Sequence, residues 1–142
     1  MKDNKLLQKV IMKKFLLFFR EVRIELTVFA LPFAFLSLIL VEDGLPKLET
    51  FIWITMAMIG IRNFGMGINR VIDYTIDTKN PRTSNRALVT GSIRKWEMTI
   101  FLLLMAIIFI FGVYNLSFWA KLLSPVALLL VIAYPYAKRV TW

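Results

Sequence analysis

Long uncharged runs constrain this chain more than any other feature of it. Residues 26–41, 98–120 and 122–137 contain no Asp, Glu, Lys or Arg, and an apolar segment from Thr50 meets its first charge only at Arg62. Inside hydrocarbon every backbone N–H and C=O must be satisfied within the segment, which leaves helices of roughly 20 residues as the spanning element. The expected fold class is therefore all-α: an integral membrane helical bundle forming a single transmembrane domain over residues 1–142. It has about four helices, with spans near 24–41, 50–70, 96–114 and 118–137. A mean hydropathy of +0.68 and a hydrophobic content of 58% agree with that class.

The segments between the runs set the topology. Residues 1–23 are basic and weakly amphipathic, with Lys2, Lys5, Lys9, Lys13, Lys14, Arg20 and Arg23 against Asp3 and Glu21. Phe15, Leu16, Phe18 and Phe19 can lay this stretch on an anionic membrane surface. A signal peptide fits less well, because the run after Glu25 offers no small-residue cleavage site. Pro32 should kink the first span, and Glu42-Asp43-Gly44-Leu45-Pro46-Lys47 forms a short acidic turn. Gly60, Gly65 and Gly67 permit close helix contact in the second span. The break before the fourth span is expected at Tyr114-Asn115-Leu116-Ser117. Pro125 lies early enough to be tolerated, whereas Pro135 is expected to disrupt the end of the helix. Tyr134 and Tyr136 read as interface aromatics, one of which can line a cavity. The basic residues fall on the N-terminus, on residues 70–95 and on Lys138-Arg139, so both termini and the central loop are expected on the cytoplasmic side of the inner membrane. That distribution explains the net charge of +9 without nucleic acid, since no stacking platform is interleaved with the cations.

Polar chemistry concentrates between Arg62 and Gly91. Asn69, Asp73 and Asp77 are spaced four apart, and a helix turning about 100° per residue puts them on one stripe, with Arg62 two turns earlier. Lys79, Arg82 and Arg86 follow in a loop broken by Asn80-Pro81 and closed by Gly91. Two carboxylates and an amide facing several cations suit Mg²⁺ and a phosphate-rich ligand, because Mg²⁺ is usually held by one or two carboxylates while phosphate oxygens complete its shell. The cations would neutralise charge on a departing diphosphate. The plainer account, a helix emerging into water with its charges solvated, has equal claim on spacing alone. Arg62, inside an apolar run, tips the balance toward function. With no His and no Cys in the chain, catalysis would rest on carboxylates, cations, Tyr or backbone.

Asn69-x-x-x-Asp73-x-x-x-Asp77, Asn80-Pro81-Arg82-Thr83 and Asn85-Arg86-x-Leu88-x-x-Gly91 resemble the first aspartate motif and following loop of the UbiA superfamily of intramembrane aromatic prenyltransferases. Thr27-Val28-Phe29-Ala30-Leu31-Pro32-Phe33 and Tyr134-Pro135-Tyr136-Ala137-Lys138-Arg139 extend the likeness toward the 4-hydroxybenzoate polyprenyltransferase branch and its menaquinone-pathway relatives. The resemblance implies Mg²⁺-dependent transfer of a polyprenyl group from its diphosphate to an aromatic acid, such as 4-hydroxybenzoate, in ubiquinone or menaquinone biosynthesis. It implies Asn69, Asp73 and Asp77 as metal ligands and Asn69, Lys79, Arg82, Asn85 and Arg86 as diphosphate-binding residues. Asp73, Asp77 and Arg62 are the catalytic candidates, Arg62 orienting the acceptor carboxylate or the metal ligands. Phe64 or Tyr74 could stabilise an allylic cation, packing being the plainer role for either.

Ala87 and Val89 stand where the family usually has Pro, which predicts a less rigid loop, and Leu26 stands where close relatives often have His. The family's second Asp-rich motif lies beyond Trp142, so the likeness covers the first half of the fold. A lone chain is then expected to have little activity unless a second half-chain or a homodimeric partner supplies that motif, and a truncated sequence is the simplest expectation. The competing class is a small non-enzymatic membrane protein, a transporter subunit or assembly factor, whose polar stripe lines a path or pairs with a partner helix. Clustered cations beside two carboxylates favour the diphosphate site.

Overall fold

A computed structural model describes the backbone of residues 2–42 and 44–140, and the side chains of Gln8 and of residues 12–42 and 44–137. The side chains of Lys2, Lys5, Lys9, Asp43, Lys138 and Arg139, which carried part of the charge topology, lie outside the described residues. The elements are α1 (Lys2–Val22), α2 (Ile24–Val41), α3 (Leu48–Ile72), α4 (Tyr74–Asp77), α5 (Lys95–Tyr114) and α6 (Phe118–Val140). Four of them, α2, α3, α5 and α6, are long and apolar enough to cross a membrane. No strand occurs among the described residues.

Helix α3 is central, touching α1, α2, α5 and α6, and its contact with α5 is the most extensive in the fold. Two glycines explain that closeness. A Cβ on Gly60 would lie 2.5 Å from the backbone nitrogen of Phe109, and one on Gly112 would lie 2.7 Å from the backbone nitrogen of Ala57. Glycine on each helix lets the other's backbone approach, which is how membrane helices gain dispersion contacts in place of a hydrophobic driving force. Ala57, Phe109 and Val113 pack around this crossing. Nearer the Asp-bearing end, Leu102 fills the space over Gly67.

Helix α2 is held to α3 by two kinds of contact. The rings of Phe35 and Phe51 stack with centroids 3.7 Å apart. The buried Thr27 hydroxyl donates to Asn63 Oδ1 at 3.2 Å, satisfying both polar groups away from water. The outward faces of α2 and α6 carry exposed Phe29, Phe33, Leu40, Leu122, Leu129 and Leu130, as suits surfaces against lipid.

The basic N-terminal stretch is a helix, α1, docked across the Asp-bearing end of the bundle. Phe18 stacks on Phe101 of α5 at 5.2 Å, and Lys14 pairs with Glu97. Glu97 also accepts the Arg94 backbone N–H at 2.8 Å, so one carboxylate caps α5 and fastens α1. Arg23 joins α1 to α2 with φ 51, the only left-handed non-glycine among the described residues. That conformation costs roughly 1–2 kcal/mol for a side chain with a Cβ, and it turns the chain from the docked helix into the span.

Pro135 does not disrupt the fourth span, contrary to the reading from sequence. Helix α6 continues through it to Val140, and Pro135 is fully buried. Neighbouring groups and local adjustment can satisfy the carbonyl that a membrane-helix proline frees, which a rule drawn from helices in water leaves out. Helix α2 likewise runs without interruption through Pro32.

Candidate functional site

The polar motif sits where α3 ends. Asp73 caps that helix outside helical geometry (φ −81, ψ 1), and α4 is the single turn that follows. Backbone bonds still keep the four-residue step: Asp73 N–H donates to Asn69 O at 2.9 Å and Asp77 N–H to Asp73 O at 2.8 Å. Asn69, Asp73 and Asp77 therefore occupy successive turns, across a break the spacing did not foresee. Asp73 and Asp77 are 3% and 5% exposed. Buried carboxylates require partners or ligands, and Asp77 has one in Arg86, whose guanidinium pairs with Oδ2.

The loop behind them is built from local turns and an apolar anchor. Asn80 Oδ1 accepts the Arg82 N–H at 3.0 Å, and Asn80 O accepts the N–H groups of Thr83 and Ser84. This Asx arrangement is typical of Asn before a turn. Thr83 Oγ1 donates to Asp77 O at 3.2 Å, and Gly91 (φ +75) supplies the left-handed turn out of the loop. Ala87, Leu88 and Ile93 are buried against Met98 and Leu102, with Phe64 and Tyr74 packed at the edge. The ring of Tyr74 carries Lys95 Nζ at 4.1 Å from its centroid. Tyr74 and Phe64 thus pack at the edge of this cluster, and the Tyr74 ring faces a lysine.

Two cavities divide the candidate residues. A cleft of about 450 Å³ between α1, the start of α2 and the loop is lined by Arg20, Arg23, Arg70, Arg82 and Arg86, with Glu21, Glu25 and Asn85. A second cavity, of about 340 Å³ between α3 and α6, is lined by Arg62, Asn69 and Tyr134 among apolar residues. Arg62 Nε and Asn69 Oδ1 are buried without a hydrogen-bond partner among the described residues. Asp73 and Asp77 line neither cavity, and Lys79 is exposed. Tyr134 thus lines a cavity, the lesser of its two sequence readings.

Sequence reasoning passed over three residues that organise this end. Glu21, one of two acids in the basic stretch, is buried. Its backbone carbonyl accepts a hydrogen bond from Arg70 Nε at 3.2 Å, and its Oε1 accepts the Ala87 N–H. Arg70 occupied the motif without a role, and Asn63 holds Thr27. An acid among many basic residues was the one available signal. The expectation of a slack loop at Ala87 meets this bond, which uses the N–H that a proline there would lack.

Residues 30–142 match the model of the UbiA prenyltransferase family. The chain belongs to that family. It is 32% identical over 106 residues to the 4-hydroxybenzoate octaprenyltransferase of Aliivibrio fischeri (strain MJ11), covering 75% of this chain and 37% of that protein. It is 38% identical to the enzyme of the same name from Pseudoalteromonas translucida (strain TAC 125), covering 74% of this chain and 36% of that one. The apo structure of a UbiA homolog from Aeropyrum pernix K1 superposes with a TM-score of 0.75 at 36% identity, over 81% of this chain and 42% of that one. The UbiA-family chain described here therefore spans little more than a third of the length of the curated relatives it matches.

Among the described residues no three His, Cys, Asp or Glu converge as a metal-binding group. The donors present still fit Mg²⁺ of the family's kind: two buried carboxylates one turn apart, and the unpartnered Oδ1 of Asn69 a turn earlier. Mg²⁺ seldom takes an all-protein cage and commonly leaves several positions to water and phosphate oxygens.

Proposed function

We propose that this chain forms part of an aromatic prenyltransferase that moves a polyprenyl group from its diphosphate to an aromatic acid, such as 4-hydroxybenzoate, in ubiquinone or menaquinone biosynthesis. In that reaction a ring carbon of the acceptor bonds to C1 of the prenyl chain. The C1–O bond breaks, diphosphate leaves with the electron pair, and the ring loses a proton.

The observation that carries the reading is the burial of Asp73 and Asp77 beside a loop that presents Arg82, Asn85 and Arg86 to one cleft. Asn69, Asp73 and Asp77 would hold Mg²⁺, which when bound supplies charge neutralisation for the diphosphate. Arg82 and Arg86 would bind phosphoryl oxygens and stabilise the leaving group, as preorganised donors do where negative charge develops. Asn85 adds a neutral polar group at the cleft wall, and Lys79, exposed at the loop's start, adds long-range attraction. Arg62, with a buried and unsatisfied Nε, would orient the acceptor's carboxylate in the cavity it shares with Tyr134.

The same reading places the protein in the inner membrane with its Asp-bearing end facing the cytoplasm. A complete diphosphate clamp takes a second Asp-rich motif, from the remainder of a longer protein, a second half-chain or a homodimeric partner. The test is binding of a non-hydrolysable polyprenyl diphosphate analogue to the purified chain in detergent, with and without Mg²⁺, beside Asp73→Ala. Mg²⁺-dependent binding lost in the variant is expected. Equal binding by the variant sinks the role of Asp73, and no binding by either points to an inert fragment or to a non-enzymatic polar stripe.

A further inference from the structure

We infer that Glu21 is a positioning residue which latches the arginine-bearing loop, making helix α1 part of the anion-binding geometry. Its carboxylate is 7% exposed, and a buried carboxylate is retained at a cost unless its oxygens are engaged. Oε1 accepts the Ala87 N–H at 2.5 Å. Oε2 makes no hydrogen bond and lies 3.7 Å from Arg70 Nε, which itself donates to the Glu21 backbone carbonyl at 3.2 Å. One residue thus joins three elements that lie 49 and 66 positions apart in sequence: the end of α1, the end of α3 and the loop.

The consequence for the loop is geometric. The Ala87 nitrogen is bonded to the carbonyl carbon of Arg86, so fixing that N–H fixes where the Arg86 side chain begins. From there its guanidinium reaches Asp77. Without the latch, the segment between the Thr83 turn and the buried Leu88 has one fewer constraint, and the Arg86 side chain has a wider range of origins. Glu21 also compensates Arg70 at the cleft wall. The guanidinium groups of Arg20 and Arg82, which have no hydrogen-bond or ion-pair partner among the described residues, then remain available to an anion.

The loop latch stands on these contacts alone, whereas its effect on ligand rests on the diphosphate reading above. The experiment therefore has two readouts on the full chain in detergent. The first is amide hydrogen exchange across residues 80–92. The Ala87 amide of the unaltered protein should exchange at least about tenfold more slowly than that of exposed Asn85, which has no acceptor among the described residues; Glu21→Ala should abolish the difference, as loss of a charge-assisted hydrogen bond would. Glu21→Gln keeps a carbonyl oxygen in place and should retain the protection, a rescue that loss of general packing would not give. Equal exchange at Ala87 and Asn85 in the unaltered protein overturns the latch, even if Glu21→Ala does not fold, and so does protection that survives Glu21→Ala.

The second readout is Mg²⁺-dependent affinity for the polyprenyl diphosphate analogue. It should weaken about tenfold in Glu21→Ala and stay within about threefold in Glu21→Gln. Equal affinity in all three proteins overturns the positioning role. An unaltered protein that binds no analogue instead overturns diphosphate binding by this chain alone, and the latch is then decided by exchange.

Discussion

The α3–α5 crossing offers the sharpest quantitative test of the fold. Replacing Gly60 with Ala would put a methyl 2.5 Å from Phe109 N, 2.7 Å from Phe109 Cα and 2.8 Å from Met105 O. All three are backbone atoms, so no rotamer change relieves the clash. Ordinary contact begins near 3.4 Å, and the shortfall from 2.5 Å means that the helices must part by about 0.9 Å at this point. A gap of that size forfeits a quarter to a half of each dispersion well along the seam. Overpacking of a well-filled interior costs about 1–3 kcal/mol, and a rigid backbone obstacle places Gly60→Ala near the upper end.

Gly67→Ala is the control. Its new methyl would meet Leu102 Cδ2 at 2.7 Å, the far end of a flexible side chain, and should cost about 1 kcal/mol. Thermal unfolding of the purified chain in detergent, followed by circular dichroism, reads the difference. With roughly 3–4 °C per kcal/mol for a chain of this size, Gly60→Ala should lower Tm by about 10 °C and Gly67→Ala by about 3 °C. A Gly60→Ala protein within 2 °C of the unaltered one, or less affected than Gly67→Ala, would refute the close-approach account of this seam.

The remaining predictions concern polar contacts. Thr27→Val removes one buried interhelical hydrogen bond, which in membranes is worth about 0.6–1.7 kcal/mol; a Tm loss of about 2–7 °C is expected, and one above 10 °C would mean that the bond does more than join α2 to α3. A double-mutant cycle of Lys14→Met and Glu97→Gln should give a coupling of about 0.5–1 kcal/mol, because Lys14 is 42% exposed. That coupling should shrink as ionic strength rises, and a coupling indifferent to salt would contradict a screened ion pair. Asp77→Asn releases Arg86 from its partner, so any binding of the diphosphate analogue that survives should no longer depend on Mg²⁺; titration calorimetry at several Mg²⁺ concentrations decides it, and an unchanged Mg²⁺ dependence would remove Asp77 from the site.

What sequence could and could not reveal follows from the range of each interaction. Four membrane-length helices were legible because lipid forces each apolar run to satisfy its own backbone. The step from Asn69 to Asp73 to Asp77 was legible because it is local. Extending the stripe as one continuous helix was not warranted, since Asp73 leaves helical geometry and α4 begins afresh. Periodicity also says nothing of what a helix faces. Arg62 and Asn69 look toward α6 and Tyr134, whereas Arg82 and Arg86 turn to a cleft under α1. Glu21 was hidden because its partners are remote in sequence, and a residue counted as one acid against many bases proved to be buried between an arginine and an amide. Pro135 misled because rules from soluble helices neglect what neighbouring helices supply.

The charge pattern at this end explains why a small buried site can be stable when empty and still attract an anion. Arg70 is offset by Glu21, and Arg86 by Asp77. Among the described residues the guanidinium groups of Arg20 and Arg82 are left uncompensated at the cleft, and Arg62 Nε is left unsatisfied in the other cavity. The carboxylates of Asp77 and Glu21 are thus engaged by Arg86 and by the Ala87 N–H, while the surplus of positive charge points at the two places where ligand is proposed to enter. On the proposed function, the Asp77–Arg86 pair is the point of exchange. A cation drawn to Asp77 weakens that carboxylate's hold on Arg86, and an anion drawn to Arg86 frees Asp77 for a cation. Each would then raise the affinity for the other by the same factor, as linkage requires. Coupling of this kind asks only that one buried ion pair face a metal on one side and a phosphate on the other, which is the arrangement proposed for the end of α3 and its loop.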